Sequence, residues 1–335
     1  MEPRLENMHV AIQGEMRAAV AYRYGGPEVV EIAQIPIPVF TEKEVLIEVH
    51  YSTVNRTDTG FRRANYVVSR LFSGLLKPKS PVWGSEFYGK VIAAGSACSY
   101  LKVGDFVCGF DDSRFGAHAQ YMAIAENAGL CVVEETDKPE IAVLMEGGHY
   151  ALSDIRAARL AAGDLCLVFG ASGAIGSAAV QILKSMHMRV IAVSLEEHLD
   201  QVKGLGADEV YSVEEFQSMV PQASLDFLFD AVGKLDYADV KHLIKPVGSY
   251  ISTEMGKGFK NIWRALFGFL LPGPSVKFPI PLMRQEDAKF LYGLYQMGKF
   301  KPLIDREYAL DEIQEAHRYA ESGMKLGNLI IRIKD

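Results

Sequence analysis

The 335-residue chain is sparing with cysteine, tryptophan and positive charge, and it has no long apolar run. Its four cysteines, at 98, 108, 131 and 166, form no CxxC pair and no dense cluster. That spacing excludes a disulfide framework and a structural zinc knuckle, and four free, partly buried thiols are expected. Thirty-five Lys and Arg stand against 42 Asp and Glu, a formal net charge of −7. A broad nucleic-acid surface would need a basic stripe, so no nucleic-acid partner is expected. No apolar stretch reaches the roughly 18 residues that would suggest a membrane-spanning helix, and no cationic segment leads into an apolar signal core. A cytoplasmic protein is the expectation.

What is present suffices for a large core. Half of the residues are hydrophobic (49%) and 23% are charged, a globular composition, and the length suits about two domains. Residues 1–15 show no clear period and are read as an extension. From 16 to about 138, short β-rich runs such as "EVLIEVHYSTV", "YGKVIAAGS" and "DFVCGF" alternate with Gly, Pro and Asp. This predicts a β-rich domain. From 139 to 289 strands and helices alternate ("DLCLVFG", "SAAVQILKSM", "RVIAVS", "LDFLFDAVG", "DVKHLIKPVG", "SYISTE"), which predicts βαβ units and a parallel sheet. Beyond 290, two helices and a closing strand follow. The segment "FKNIWRALFGFLLPGPSVKFPIP" can place Trp263, Leu266, Phe267, Leu270 and Leu271 on one helical face, with Lys257, Lys260 and Arg264 nearby. Such a face packs on a core or a partner subunit more often than it lies on a membrane.

The strongest local signal is "LCLVFGASGAIGSAAVQILKSM", residues 165–186, where a strand feeds a helix through G-x-x-G-x-x-G. Gly170 permits the tight turn, Gly173 lets backbone N–H groups approach a pyrophosphate, and Gly176 lets the helix pack close to the strand. The anion then sits at the helix N-terminus, so Gly170, Ser172, Gly173, Ala174, Ile175 and Gly176 are the expected dinucleotide-binding residues. The next strand ends at Ser194, whose hydroxyl suits the 2′-phosphate of NADP. Glu196, about 20 residues past the loop, suits the ribose hydroxyls of NAD.

Several motifs then fall in an order that resembles the medium-chain dehydrogenase/reductase superfamily, in its zinc-free quinone oxidoreductase-like branch. They are "MRAAVAYRYGGPEVVEI", "STVNRTD", "PVWGSEFYGKVIAAGS", "KVGDFVCGF", "GAHAQYMAI", "FGASGAIGSAAVQILK", "LGADEV", "FDAVG" and "FKPLIDREYALDEIQEAHRYAESGMKLGNLII". The resemblance spans about 16–335. It implies an α/β protein in which a Rossmann cofactor domain, 139–289, is inserted into a GroES-like β-rich catalytic domain, 16–138 plus 290–335, with the active site in the cleft between them. It also implies a nicotinamide cofactor, for which Ser194 puts NADP(H) ahead of NAD(H), and a homodimer joined through the Rossmann domain near 259–281. Zinc alcohol dehydrogenases of the superfamily carry a cysteine where this chain has Asn55 and a histidine where it has Ser85, and their third ligand falls near Glu146 or Gly147. Asn and Ser do not supply the S and N ligands of a catalytic zinc, so no metal is expected.

The family's loop asparagine matches Asn55, which suits either a hydrogen bond to a substrate carbonyl or a hold on the nicotinamide ribose. Asp58 matches its loop aspartate, and Tyr66 is a candidate proton donor or ring wall. Arg62 and Arg63 suit an anionic group but are expected to be solvated. Ala231 and Val232 of "FDAVG", Thr253 of "STE" and Asn328 of "KLGNLII" match cofactor-facing positions. His149 is read as packed, and His118 and His317 as structural. The expected activity is hydride transfer from NAD(P)H to a quinone, enone or similar small electrophile. Two alternatives stand beside it: a zinc-independent alcohol or aldehyde dehydrogenase, and a nucleotide-binding protein with little turnover.

Overall fold

The computed structural model describes residues 12–64, 70, 73–136, 138–270 and 272–334. The chain divides into two compact units: one takes in residues up to 145 with 283–292 and 304–335, the other 146–282 with 293–303.

The second unit is a six-stranded parallel sheet. Its strands are β8 (Leu165–Phe169), β9 (Arg189–Ser194), β10 (Glu209–Ser212), β11 (Leu225–Asp230), β12 (Ile244–Ser252) and β13 (Ser275–Lys277), in the order β10-β9-β8-β11-β12-β13. The direction of travel reverses between β8 and β11, which is where open α/β sheets bind ligands. Its central strands are apolar throughout ("LCLVF", "VIAV"), as a sheet covered on both faces requires. Leu167, Ile191, Leu228 and Tyr250 belong to a buried core cluster on this sheet. The segment "DVKHLIKPVG", expected to be helical, is mostly something else. One helical turn, Tyr237–Val240, and a 3-10 turn precede β12, which begins at Ile244 and runs through Pro246. Proline ends a helix but is tolerated in a strand beside an irregularity, and here the β11–β12 register shifts between Leu225 and Phe227.

The first unit holds a seven-stranded sheet built around β3 (Glu44–Thr53), which pairs antiparallel with β4 (Glu86–Ala94), β6 (Tyr121–Ala125) and β15 (Asn328–Arg332). β5 (Phe106–Phe110), β7 (Leu130–Val133) and β14 (Ile304–Ala309) complete it, and β1 (Glu15–Val20) pairs with β2 (Glu31–Pro36). The alternating apolar residues of β3, among them Val45, Ile47 and Val49, enter a core with Phe87, Val107 and Ile331.

The 259–281 segment forms the helix Lys260–Phe267 followed by β13, the edge strand of the parallel sheet. Trp263, at 57% exposure, stacks on Phe267, at 51%, with ring centroids 5.6 Å apart. Leu266 and Leu270 are exposed beside them, and Leu271 lies outside the described residues. Lys260 and Arg264 each reach Asp236 at 3.1 Å. Among the described residues no helix is long and apolar enough to cross a membrane.

Candidate functional site

In the parallel sheet, pairing aligns Phe169 with Val193 and with Asp230, and Asp230 with Ser252. The residues just beyond these positions, Gly170, Ser194, Ala231, Val232 and Thr253, therefore gather along one carboxyl edge. Gly170 has φ +80°, and a Cβ there would meet the Val232 side chain at 2.6 Å. A Cβ on Gly176 would lie 2.1 Å from the Gly170 carbonyl oxygen, so only glycine lets the helix Ala174–Ser185 pack this closely. Gly173 differs from both. It caps that helix with no side-chain hydrogen bond, has φ −79°, and its Cβ would meet only the Gly170 oxygen at 3.5 Å. The room above Gly173 and the uncapped helix start fit a pyrophosphate.

Asp230 holds the turn that follows β11. Its carboxylate accepts the backbone N–H groups of Val232, Gly233, Lys234 and Leu235. Burial raises its pKa although these hydrogen bonds oppose the shift. Ser194 is buried, and its hydroxyl has no hydrogen-bond partner among the described residues. A ligand oxygen at the ribose end of the site would satisfy that orphan. Glu196 and Glu197 are exposed. The helix Met145–Ala158 approaches the glycine loop through Gly147, where a Cβ would stand 2.5 Å from the Ala174 carbonyl oxygen. His149 is buried against Tyr150.

A second constellation lies in the first unit, where β3 ends. Asn55 is the N-cap of helix α1 (Arg56–Arg63) in a reciprocal capping box with Asp58. Asp58 Oδ2 accepts the Asn55 backbone N–H at 2.9 Å, and its Oδ1 accepts the Ser85 hydroxyl at 3.4 Å. The β3–β15 register, with Thr53 opposite Ile330, continues outward until Asn328 stands opposite Asn55. Asn55 Nδ2 donates to Asn328 Oδ1 at 3.3 Å, and Lys325 Nζ donates to Asn55 Oδ1 at 2.6 Å. Asn55 is 2% exposed. Glu86, fully buried, accepts from the Met145 backbone N–H at 2.5 Å and from the Thr53 hydroxyl at 3.3 Å.

Burial raises the Asp58 pKa to about 6, against the hydrogen bonds from Asn55 and Ser85. A raised folded-state value means that the folded protein holds this proton more tightly. The stability from the protonated form is complete below the unfolded value of 3.8 and is lost as pH rises through about 6. Asp58→Asn still accepts from Asn55 and carries no charge. The melting-temperature difference between Asp58→Asn and the parent should therefore move in favour of the variant, by a few degrees, between roughly pH 4 and pH 7. A difference independent of pH would show that Asp58 does not titrate in this window.

Of the two positively charged neighbours, Arg62 departs from expectation. Arg62 is fully buried, not solvated; it pairs with Glu321, while its Nε and Nη1 have no hydrogen-bond partner among the described residues. Helix α1 packs on the helix Ile313–Ser322, which encloses the guanidinium. Arg63 is half exposed and reaches the same Glu321 at 3.2 Å. His118 bonds the Thr53 carbonyl at 2.7 Å and meets the buried His317 edge to face. Burial lowers both histidine pKa values, that of His118 to about 4. Tyr66 lies outside the described residues.

Comparison with known proteins agrees with this architecture. Residues 41–135 match the alcohol dehydrogenase GroES-like domain, and residues 205–331 match the family described as zinc-binding dehydrogenase. A human quinone oxidoreductase is 28% identical over 326 residues, covering 90% of this chain and 93% of its own. The chloroplastic NADPH-dependent alkenal/one oxidoreductase of Arabidopsis thaliana is 28% identical over 335 residues, covering 96% and 80%. The chain belongs to the medium-chain dehydrogenase/reductase superfamily, in its quinone oxidoreductase-like branch. The fold of the quinone oxidoreductase from Coxiella burnetii superposes with a TM-score of 0.84 at 23% identity, over 96% of this chain and all of that one.

The space over Gly173 and the helix start leave room for a dinucleotide phosphate, while Asn55 and Ser85 offer neither a thiolate nor an imidazole for the zinc in the matched family's description. Asn55 and Ser85 are the residues that the superfamily resemblance sets against two zinc ligands, and among the described residues no three His, Cys, Asp or Glu side chains are grouped to hold a metal. Sequence reasoning missed Lys325. A lysine in a Gly-flanked loop reads as a solvated charge, and nothing local marks its contact with a residue 270 positions earlier.

Proposed function

We propose that this chain reduces enones, quinones and related small electrophiles with NADPH and without zinc. The observation that carries the reading is a buried amide donor, Asn55, where a zinc enzyme of the superfamily would have a thiolate. A conjugated carbonyl needs hydrogen-bond donors as negative charge gathers on its oxygen, whereas alcohol oxidation would need a group to hold an alkoxide. Bound NADPH supplies the hydride from nicotinamide C4. The amides above Gly170–Gly176 hold the pyrophosphate, while Ala231, Val232 and Thr253 border the path of the dinucleotide along the strand ends. The buried Ser194 hydroxyl supports the 2′-phosphate of NADPH over NADH. Asn55 Nδ2 donates to the acceptor carbonyl. Asp58 positions Asn55 through the capping box, and Asn328 positions its amide. Proton delivery belongs to water or Tyr66.

A panel of quinones, enones and aldehydes tests the reading through NADPH consumption. Enones and quinones should turn over, with NADPH preferred to NADH, and a chelator should leave the rate intact. Tight NADPH binding without turnover of any acceptor would favour a nucleotide-binding protein instead. A stoichiometric zinc content would overturn the roles of Asn55 and Ser85.

The functional form in this reading is a homodimer formed across the β13 edge and the Trp263–Leu270 face. An unpaired strand edge and a stacked pair of exposed aromatic rings both need cover. Pro279 and Pro281, just past β13, limit how far strand pairing extends. Light scattering at micromolar concentration should give a dimer for the parent and a monomer for Trp263→Lys/Leu266→Glu. A monomeric parent would overturn this assembly, and parent binding to liposomes would assign the face to a membrane surface.

A further inference from the structure

We infer that Lys325 is a positioning residue for the reduction: it fixes and polarises the Asn55 amide so that the nitrogen end faces the acceptor carbonyl. The inference rests on the reading that Asn55 donates to that carbonyl.

The oxygen and nitrogen ends of an asparagine amide are nearly the same size, so shape alone does not choose between them. Charge chooses here. Lys325 Nζ donates to Asn55 Oδ1 at 2.6 Å, a charge-assisted hydrogen bond. A flipped amide would set two N–H donors against an ammonium. It would also turn the oxygen of Asn55 toward Asn328 Oδ1, which now accepts from Nδ2 at 3.3 Å. With an ammonium on its oxygen, the amide also becomes a stronger donor through its nitrogen, because hydrogen bonds in a chain polarise one another. Asn55 then meets the growing charge on the acceptor oxygen with its N–H group already oriented.

The loop around Lys325 is built to hold it. Gly323 and Gly327 have φ +78° and +62°, so the chain turns sharply on either side. The Leu326 backbone N–H is anchored on Asp305 Oδ2 at 2.9 Å, and Asp305 also accepts from the Tyr319 hydroxyl at 2.9 Å. Lys325 itself donates to the Gly327 carbonyl at 2.7 Å, which ties the ammonium to its own loop. Lysine is an entropically expensive side chain to immobilise, and a purely solubilising lysine has no need of these restraints.

The test is a set of variants of the full chain, Lys325→Met, Lys325→Arg, Asn55→Ala and Lys325→Met/Asn55→Ala, with an enone acceptor. Steady-state kcat and KM, the isotope effect with NADPH deuterated at C4, NADPH affinity by fluorescence and melting temperature are measured for each. Lys325→Met should lose about 10- to 100-fold in kcat, a part of what loss of a whole charge-stabilising donor costs. Its KM and NADPH affinity should stay near the parent's, and its isotope effect should rise as hydride transfer becomes limiting. Lys325→Arg should recover part of the loss, since a guanidinium also donates to an amide oxygen. In the Asn55→Ala background the lysine substitution should cost nothing further. If Lys325→Met melts well below the parent, Lys325→Gln, which keeps a neutral donor, is read in its place. A parental kcat in the lysine variants, with Asn55→Ala impaired, overturns the inference alone. So does a lysine effect of full size in the Asn55→Ala background. A parental kcat in Asn55→Ala overturns the reading of Asn55, and the inference with it.

Discussion

Gly173→Asp should lose NADPH binding and keep its fold. A Cβ at this position meets only the Gly170 carbonyl oxygen at ordinary contact distance, and the backbone φ of −79° suits any residue. The carboxylate would stand at the start of the helix Ala174–Ser185, where the cofactor pyrophosphate belongs. Like charges ~4 Å apart repel by about 4 kcal/mol at an effective dielectric constant of about 20. Since each ~1.4 kcal/mol is tenfold in affinity, the NADPH dissociation constant should rise by about 100-fold or more. An aspartate at a helix N-cap is itself favourable, so the melting temperature should hold or rise. Fluorescence titration beside thermal unfolding separates the two effects. A folded variant that binds NADPH like the parent would place the dinucleotide elsewhere. Gly176→Ala is the poorer experiment, because its methyl would strike the Gly170 oxygen and disturb the loop itself.

Removing the amide of Asn55 should give the second large effect, with kcat falling about 100- to 1,000-fold, the range for loss of one donor to a developing oxyanion. Asn55→Ala also removes a helix cap, worth about 1 kcal/mol. Asn55→Ser isolates the chemistry: its hydroxyl still caps α1 but is too short to replace the Nδ2 donor. The two variants should share the loss in kcat, and only the alanine variant should melt appreciably earlier. A fall in NADPH affinity with kcat retained would mean that Asn55 holds the nicotinamide ribose instead of the acceptor.

The parallel sheet was legible because its signals are local. A buried strand is a short apolar run, and a dinucleotide turn needs glycine where backbone must approach backbone. Both are written in "LCLVFGASGAIG", and the structure supplies the contacts at Gly170 and Gly176 that make other residues untenable. The alternation of strand and helix carried the fold class in the same way. Reading was incomplete at "DVKHLIKPVG", where helical turns end at Leu243 and β12 begins at Ile244, with the β11–β12 register shifting across Pro246. It failed at Arg62. A surface helix ordinarily leaves arginine in water, and only the packing of Ile313–Ser322 on α1 encloses this one beside Glu321.

The sequence by itself determined the architecture and the strand–glycine–helix junction with its three glycines. Both depend on residue type and on spacing within a few turns of chain. The tertiary structure alone decided what Asn55 touches. Its partners Lys325 and Asn328 come from the far end of the chain, brought opposite by the antiparallel register of β3 and β15. Strand register is a cooperative property of a whole sheet, set by which faces are buried, and no residue at 55 or at 325 carries it alone.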